Sequence, residues 1–139
     1  MQVATFEEVL GKIVATDPRY HRDAYHFVRE ALAHTQKKSG KVAKSEVQHV
    51  TGQTLLAGIR EYALAEFGPM ALTVLGEWGV RACEDFGEIV FNMVESGLLA
   101  KTEQDSRTDF KGGYDFAEAF RQPFLPVAKS PKPEPESVQ

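Results

Sequence analysis

The stretch that decides the fold is DPRYHRDAYHFVREALAHT, residues 17–35. Asp17 followed by Pro18 is typical of a helix start, because aspartate caps free backbone amides and proline is tolerated in the first turn. Beyond it, apolar residues recur at intervals of three and four, which places them on one side of a helix. The sequence therefore predicts an amphipathic helix whose apolar face is formed by Tyr20, Ala24, Phe27, Val28, Ala31 and Leu32.

Further helices are predicted around this one, and each is bounded by residues that start or stop helices. A threonine followed three residues later by glutamate, at Thr5 and Glu8, forms a capping box. A glycine followed by proline, at Gly68 and Pro69, ends one helix and begins the next. The additional predicted helices run from Thr5 to before Asp17, from Thr51 to Phe67, from Pro69 to Trp78 and from Asp85 to Ser96, with a short turn from Asp115 to Phe120.

The chain beyond the last long helix predicts a small β-hairpin. Its strands are LLAKTEQ, residues 98–104, and a segment within RTDFKGGYDF, residues 107–116. A helix, a bend, a second helix and a hairpin follow one another in the same order in winged helix-turn-helix units. We therefore expect a mainly α fold of the α+β class, with five or six helices, a C-terminal β-hairpin and a winged-helix-like second half.

The composition changes at Gln122. Residues 122–139 hold five of the seven prolines, in the sequence QPFLPVAKSPKPEPESVQ. Such a segment buries too little apolar area to offset the entropy lost on ordering. We predict a single helical domain over residues 1–121 and a Pro-rich disordered tail over residues 122–139.

Composition and charge narrow the function classes. The sequence contains neither a stretch of about 18 apolar residues nor a secretory signal, so no membrane attachment is expected. The single cysteine, Cys83, excludes an internal disulfide and a cysteine-based zinc site, and it favours the cytoplasm. A net charge of −4 argues against nucleic acid as a partner, because binding to phosphates depends on clustered lysine and arginine.

The outer face of the predicted helix 85–96 is acidic. In a winged-helix protein this face enters the DNA and carries basic or amide side chains, whereas no Lys or Arg occurs from Asp85 to Leu99. The leading hypothesis is a non-enzymatic cytoplasmic protein-interaction or adaptor module, whose partner would be basic if it meets this face. Self-association is left open. The residues predicted to bind the partner are Glu84, Glu88, Asn92 and Glu95.

Two other functions remain open at this point. A metal-dependent hydrolase would be built on His49 with Asp105 and Asp109. However, the sequence has no G-x-S-x-G nucleophile, no H-E-x-x-H zinc pattern and no phosphate loop, so no catalytic residue, metal ligand or cofactor is predicted. A transcription regulator of the winged-helix type would instead bind DNA through basic residues of a loop and the hairpin, namely Lys37, Lys38, Lys41, Lys44, Arg107 and Lys111.

Three Asp-Phe pairs are interpreted as structural. Asp85 and Asp115 are each followed three residues later by glutamate, which is typical of a helix start. Asp109 precedes Lys-Gly-Gly and fits a turn. The phenylalanine after each aspartate would then be the first core residue beyond the turn.

Several blocks of the sequence resemble a small bacterial protein family of unknown function. The resemblance covers roughly residues 6–120 and implies that the domain ends near Phe120. It implies no activity, and no catalytic residue can be carried over from it. The blocks are DPRY (17–20), HVTGQ (49–53), FGPMA (67–71), WGV (78–80), DFGEIVFN (85–92) and YDFAEAF (114–120).

Overall fold

The computed structural model describes residues 5–39, 51–99 and 110–126, and these are mainly helical. No helix in these ranges is both long and apolar enough to cross a membrane. The α-helices are α1 (Phe6–Thr16), α2 (Arg22–Ser39), α3 (Gly52–Phe67), α4 (Ala71–Glu77) and α5 (Cys83–Glu95). Short 3₁₀ or π turns lie at Gly68–Met70, Ala117–Arg121 and Gln122–Phe124.

The predicted starts of α1 and α3 are confirmed. Thr5 Oγ1 accepts the N–H of Glu8 at 3.1 Å, and Glu8 Oε1 accepts the N–H of Thr5 at 3.0 Å, which completes the capping box. Thr51 Oγ1 accepts the N–H of Thr54 at 3.1 Å. Each bond satisfies an amide that has no partner inside its helix, so local chemistry accounts for both boundaries.

The predicted start of α2 at Asp17 is wrong. Asp17 is the C-cap residue of α1, and its N–H donates to the carbonyl of Ile13 at 2.8 Å. Its carboxylate accepts the backbone N–H and the side chain of Arg19. Helix α2 begins only at Arg22, where His21 Nδ1 accepts the N–H of Asp23 in the first turn. Residues 17–21 form a connection that we call the Asp17–His21 loop.

The core is organised around α2, which contacts α1, α3 and α5. Its most extensive helix contact is with α3, where Gly58 lies against Thr35. A Cβ on Gly58 would be 1.8 Å from Thr35 Oγ1, so the absence of a side chain allows the two helices to approach. The predicted apolar face of α2 is confirmed, since Tyr20, Ala24, Phe27, Val28 and Ala31 are buried and Leu32 is half-buried against them.

The predicted C-terminal β-hairpin and winged-helix-like second half are wrong, because the described residues contain no strand. Residues 98–99, the start of the first predicted strand, continue the turn and bend after α5. Residues 110–115, in the second, form turns that lead into the π turn. Residues 100–109 of the predicted hairpin lie outside the described residues.

Aromatic packing explains why residues 110–116 do not form a strand. Phe110 and Phe116 dock on α5, with ring centroids 6.5 Å from Phe91 and 5.7 Å from Phe86, respectively. Phe110 lies so close to α5 that a Cβ on Gly87 would be 3.0 Å from its side chain. These side chains are held by a helix surface, whereas a strand would need a neighbouring backbone to pair with.

The predicted tail boundary at Gln122 falls within a described 3₁₀ turn, and residues 127–139 lie outside the described residues. Phe124 and Leu125 line a small groove of about 250 Å³ together with Pro69 and Leu72, at the start of α4. The first residues of the Pro-rich segment therefore lie against the helical domain.

Substituting Gly58 tests the α2–α3 contact. We expect Gly58→Ala to lower the free energy of unfolding by about 1–3 kcal/mol, because the new methyl group overlaps Thr35. Urea denaturation measures the change. Gly11→Ala is the matched control, since its Cβ would lie 3.7 Å from the nearest atom, Arg22 Nη2. Thr35→Ala in the Gly58→Ala background should restore part of the loss, and equal effects of the two glycine substitutions would contradict this account.

Candidate functional site

The Asp17–His21 loop packs backbone to backbone against the turn between α4 and α5. Gly79 in that turn has a φ of +88°, and a Cβ on it would be 2.2 Å from the carbonyl oxygen of Arg19. The N–H of His21 donates to the carbonyl of Trp78 at 3.1 Å. Glycine is the residue that tolerates both this φ and this approach, so Gly79 allows the loop and the turn to meet.

A partly buried hydrogen bond joins the same loop to the start of α5. Tyr20, which is 2% exposed, donates its hydroxyl to Asp85 Oδ1 at 2.6 Å. Asp85 Oδ2 accepts the N–H groups of Arg81 and Ala82 at 2.8 and 3.1 Å. Burial, followed by the hydrogen bond to Asp85, raises the pKa of Tyr20, so the hydroxyl stays protonated and remains a donor.

The three Asp-Phe pairs differ in their structural roles. The prediction that Asp85 starts α5 is wrong, because Asp85 is the third residue of the helix. Its carboxylate reaches back to the backbone amides of Arg81 and Ala82. Asp115 accepts the N–H of Glu118 at 3.2 Å, which confirms its predicted capping role. Asp109 lies outside the described residues.

Asp17 is the centre of a second polar network. Its carboxylate accepts Arg19 Nε at 2.8 Å and Nη2 at 2.6 Å, a two-point ion pair. Asn92 Nδ2 donates to Asp17 Oδ2 and to the hydroxyl oxygen of Tyr25, both at 3.0 Å. The Arg19 side chain, with help from Asn92 and against the effect of burial, holds the pKa of Asp17 well below its usual range. The loop therefore places an ionised carboxylate, paired with Arg19, beside α5.

The four residues predicted to bind a partner lie on one side of α5 but are not equally exposed. Asn92 is half-buried against Asp17, and Glu88 lies 3.4 Å from Arg19 Nη2. Glu84 and Glu95 are exposed, at opposite ends of α5. Half of the predicted set thus faces the Asp17–His21 loop, while Glu84 and Glu95 are separated by the length of the helix.

The residues predicted for the two alternative functions lie mostly outside the described residues. This is the case for His49, Asp105 and for the loop lysines Lys41 and Lys44. Within the described ranges no group of three His, Cys, Asp or Glu side chains is placed to hold a metal ion. Of the predicted DNA-binding residues, Lys37 and Lys111 are exposed, the side chain of Lys38 is not described, and Arg107 lies outside the described ranges.

Two openings flank the Asp17–His21 loop. One, the α1–α5 groove, has a volume of about 410 Å³ and lies beside Asp17. The other, the arginine cleft, has a volume of about 500 Å³ and lies on the side of Arg19. The groove is lined by Val9, Lys12, Ile13, Thr16, Asp17, Asn92, Glu95 and Ser96. The cleft is lined by Arg19, Arg22 and Arg81, by Val14, Pro18, Tyr20, His21, Glu77 and Trp78, and by Gly76 and Gly79.

Sequence reasoning did not identify the arginine cleft. Arg19 and Arg22 belong to the connection before α2, whereas Arg81 follows α4, about sixty residues later in the chain. The signal that could have linked them is Gly79, an unexplained glycine beside Trp78. Its partner, the carbonyl of Arg19, cannot be identified without the tertiary structure.

No protein-family model matches this sequence, and neither a curated protein nor a solved structure is significantly similar to it. The resemblance to a bacterial family therefore stays a prediction. The function has to be inferred from the geometry of the groove and the cleft.

The Asp17→Asn variant tests the charge network through the pH dependence of the free energy of unfolding. Because the folded pKa of Asp17 lies below the unfolded value of about 3.9, its ionised form stabilises the fold above that pH and the contribution is lost as pH falls. We expect Asp17→Asn to be less stable than the wild type near pH 7, and the difference to shrink from about pH 5 towards pH 2. Urea denaturation at each pH measures this, with the exposed Asp23→Asn as control. A difference that stays constant with pH would contradict the ionised network.

Proposed function

We propose that this chain is a non-enzymatic cytoplasmic protein-interaction module that holds a basic segment of a partner protein in the α1–α5 groove. The single observation that carries the proposal is the position of Asp17, Asn92 and Glu95 along one wall of an open groove. Two of these, Asn92 and Glu95, belong to the set predicted from the acidic pattern of α5.

The groove combines apolar and polar surfaces. Its floor contains Ile13, which is buried, and the half-buried Val9, both from α1. Thr16 and Ser96 are exposed at its rim. A groove with an apolar floor and a polar rim suits a peptide segment that buries one aliphatic side chain and leaves its backbone near hydrogen-bonding groups.

The charge in the groove favours a basic segment. Asp17 remains ionised because Arg19 holds its pKa low, and Glu95 adds a second carboxylate at the end of α5. Lys12 is the one cation among the groove-lining residues, and it would orient the segment by repelling its basic end. The net charge of −4 would also steer a basic partner towards this chain before contact.

The groove wall is held before any partner binds. Asn92 donates to Asp17 and to Tyr25 at once, so its amide cannot rotate without losing two hydrogen bonds. A preorganised wall lowers the entropy lost on binding. This is the physical reason to expect a defined recognition site at Asn92.

The cytoplasmic location rests on the single cysteine. Cys83 is buried, its Sγ lies 3.5 Å from the carbonyl oxygen of Tyr114, and burial raises the pKa of its thiol. Such a thiol is poorly reactive and acts as a small core side chain.

Selection from a random peptide display library, with the intact chain as bait, tests the proposal. We expect enriched peptides to carry Lys or Arg next to an aliphatic residue. Glu95→Lys should weaken their binding roughly three- to tenfold, because it reverses a charge at the groove.

Glu84→Lys is the matched control, since it makes the same charge change on the same helix but at the opposite end. Binding of the enriched peptides to this variant should stay close to that of the wild type. Enrichment of acidic peptides, or equal effects of the two substitutions, would remove the groove as the binding site.

A further inference from the structure

The arginine cleft presents the guanidinium of Arg81, which has no ion-pair partner in the part of the chain that the structure describes. The backbone N–H of Arg81 donates to Asp85, but among the described residues its side chain makes no ion pair. The side chain lies over α4, and its Nη1 would be 3.8 Å from a Cβ on Gly76. The structural role of Arg81 is therefore carried by its backbone, and its charge is left facing the cleft.

Two further donors line the same cleft. Arg22 Nη1 lies 3.5 Å from Glu7, and both side chains are well exposed, so this pair is weak and open to competition. His21 Nδ1 accepts the N–H of Asp23 at 3.0 Å, which places the proton of the neutral ring on Nε2. His21 can thus donate to a ligand through Nε2 without losing the bond that holds its ring.

Gly76 adds no side chain to the cleft that it lines. It is the next-to-last residue of α4, where alanine would form helix more readily than glycine. Neither a positive φ nor close packing explains it, because an added Cβ would meet only Arg81 Nη1, at an ordinary contact distance. A larger side chain at this position would, however, project into the cleft.

We infer that the arginine cleft binds a small phosphate-bearing molecule, held by the side chains of Arg81 and Arg22 and by His21 Nε2. One guanidinium group can donate two parallel hydrogen bonds to two oxygens of one phosphate group, which favours phosphate over a monatomic ion such as chloride. Arg19 is a positioning residue, because Asp17 and Glu88 already accept its donors. Trp78 also lines the cleft, with its ring packed against Phe27 and Phe67 on the core side.

The carboxylate of Glu77 opposes the binding of an anion, so substituting it tests the charge of the ligand. Glu77 is exposed and lines the cleft, so its carboxylate would repel a phosphate group. If the ligand is anionic, Glu77→Gln should strengthen its binding. The same substitution would weaken the binding of a cationic ligand and leave that of a neutral ligand unchanged.

Titration with inorganic phosphate, followed by tryptophan fluorescence, tests the inference directly. Trp78 is the only tryptophan in the sequence and lines the cleft, so no label is needed. At constant ionic strength we expect a saturable change in its emission, roughly tenfold weaker binding in Arg81→Gln, and tighter binding in Glu77→Gln. Gly76→Leu should abolish the change by filling the cleft.

Gly76→Ala is the control, because like Gly76→Leu it raises the helix propensity of α4, but its methyl group does not fill the cleft. It should bind phosphate as the wild type does, and circular dichroism confirms that each variant is folded. Changes reproduced by sodium chloride alone, or wild-type binding in Arg81→Gln and Gly76→Leu, would overturn the inference. An equal response to acetate would overturn the assignment of phosphate.

Discussion

The rest of the structure depends on the contact between Gly79 and the carbonyl of Arg19. A single Cβ at Gly79 would lie 2.2 Å from that oxygen, so the Asp17–His21 loop could not reach the α4–α5 turn in its present position. Because the loop contacts the turn, the Tyr20 hydroxyl can donate to Asp85 near the start of α5. In the same way, the Asp17 carboxylate can accept the side-chain amide of Asn92 further along α5. A backbone contact thus places two separate polar networks.

The loop also divides the surface of this region in two. Asp17 lies in the wall of the α1–α5 groove, whereas Arg19 lies in the wall of the arginine cleft, and the two side chains form one ion pair. The fixed carboxylate suits a basic peptide segment in the groove, and the neighbouring guanidinium of Arg81 suits a phosphate group in the cleft. One ion pair thus contributes its carboxylate to the groove and its guanidinium to the cleft.

Local patterns predicted the helices well and the connections poorly. The helix caps at Thr5 and Thr51 depend on neighbours three residues away in the sequence. The apolar face of α2 depends on a periodicity within a single helix. Asp17 was misassigned because it pairs with Arg19 and the distant Asn92 at the end of α1. Asp85 was misassigned because its carboxylate reaches back to the amides before α5 and also accepts the distant Tyr20. The hairpin failed for the same kind of reason, since its aromatic residues dock on α5 instead of pairing as strands. The two openings combine residues about sixty or more positions apart in the chain, which no local pattern specifies.

Amide hydrogen exchange at His21 tests the central claim most directly. Its N–H belongs to a connecting loop but donates to Trp78 across the contact that Gly79 permits. If the loop is an integral part of the folded unit, this amide should exchange as slowly as buried amides of α2 such as that of Val28, because both open only with most of the structure. Exchange at the rate of an exposed, unprotected amide would contradict the account, since it would mean that the loop opens independently of the helices it joins.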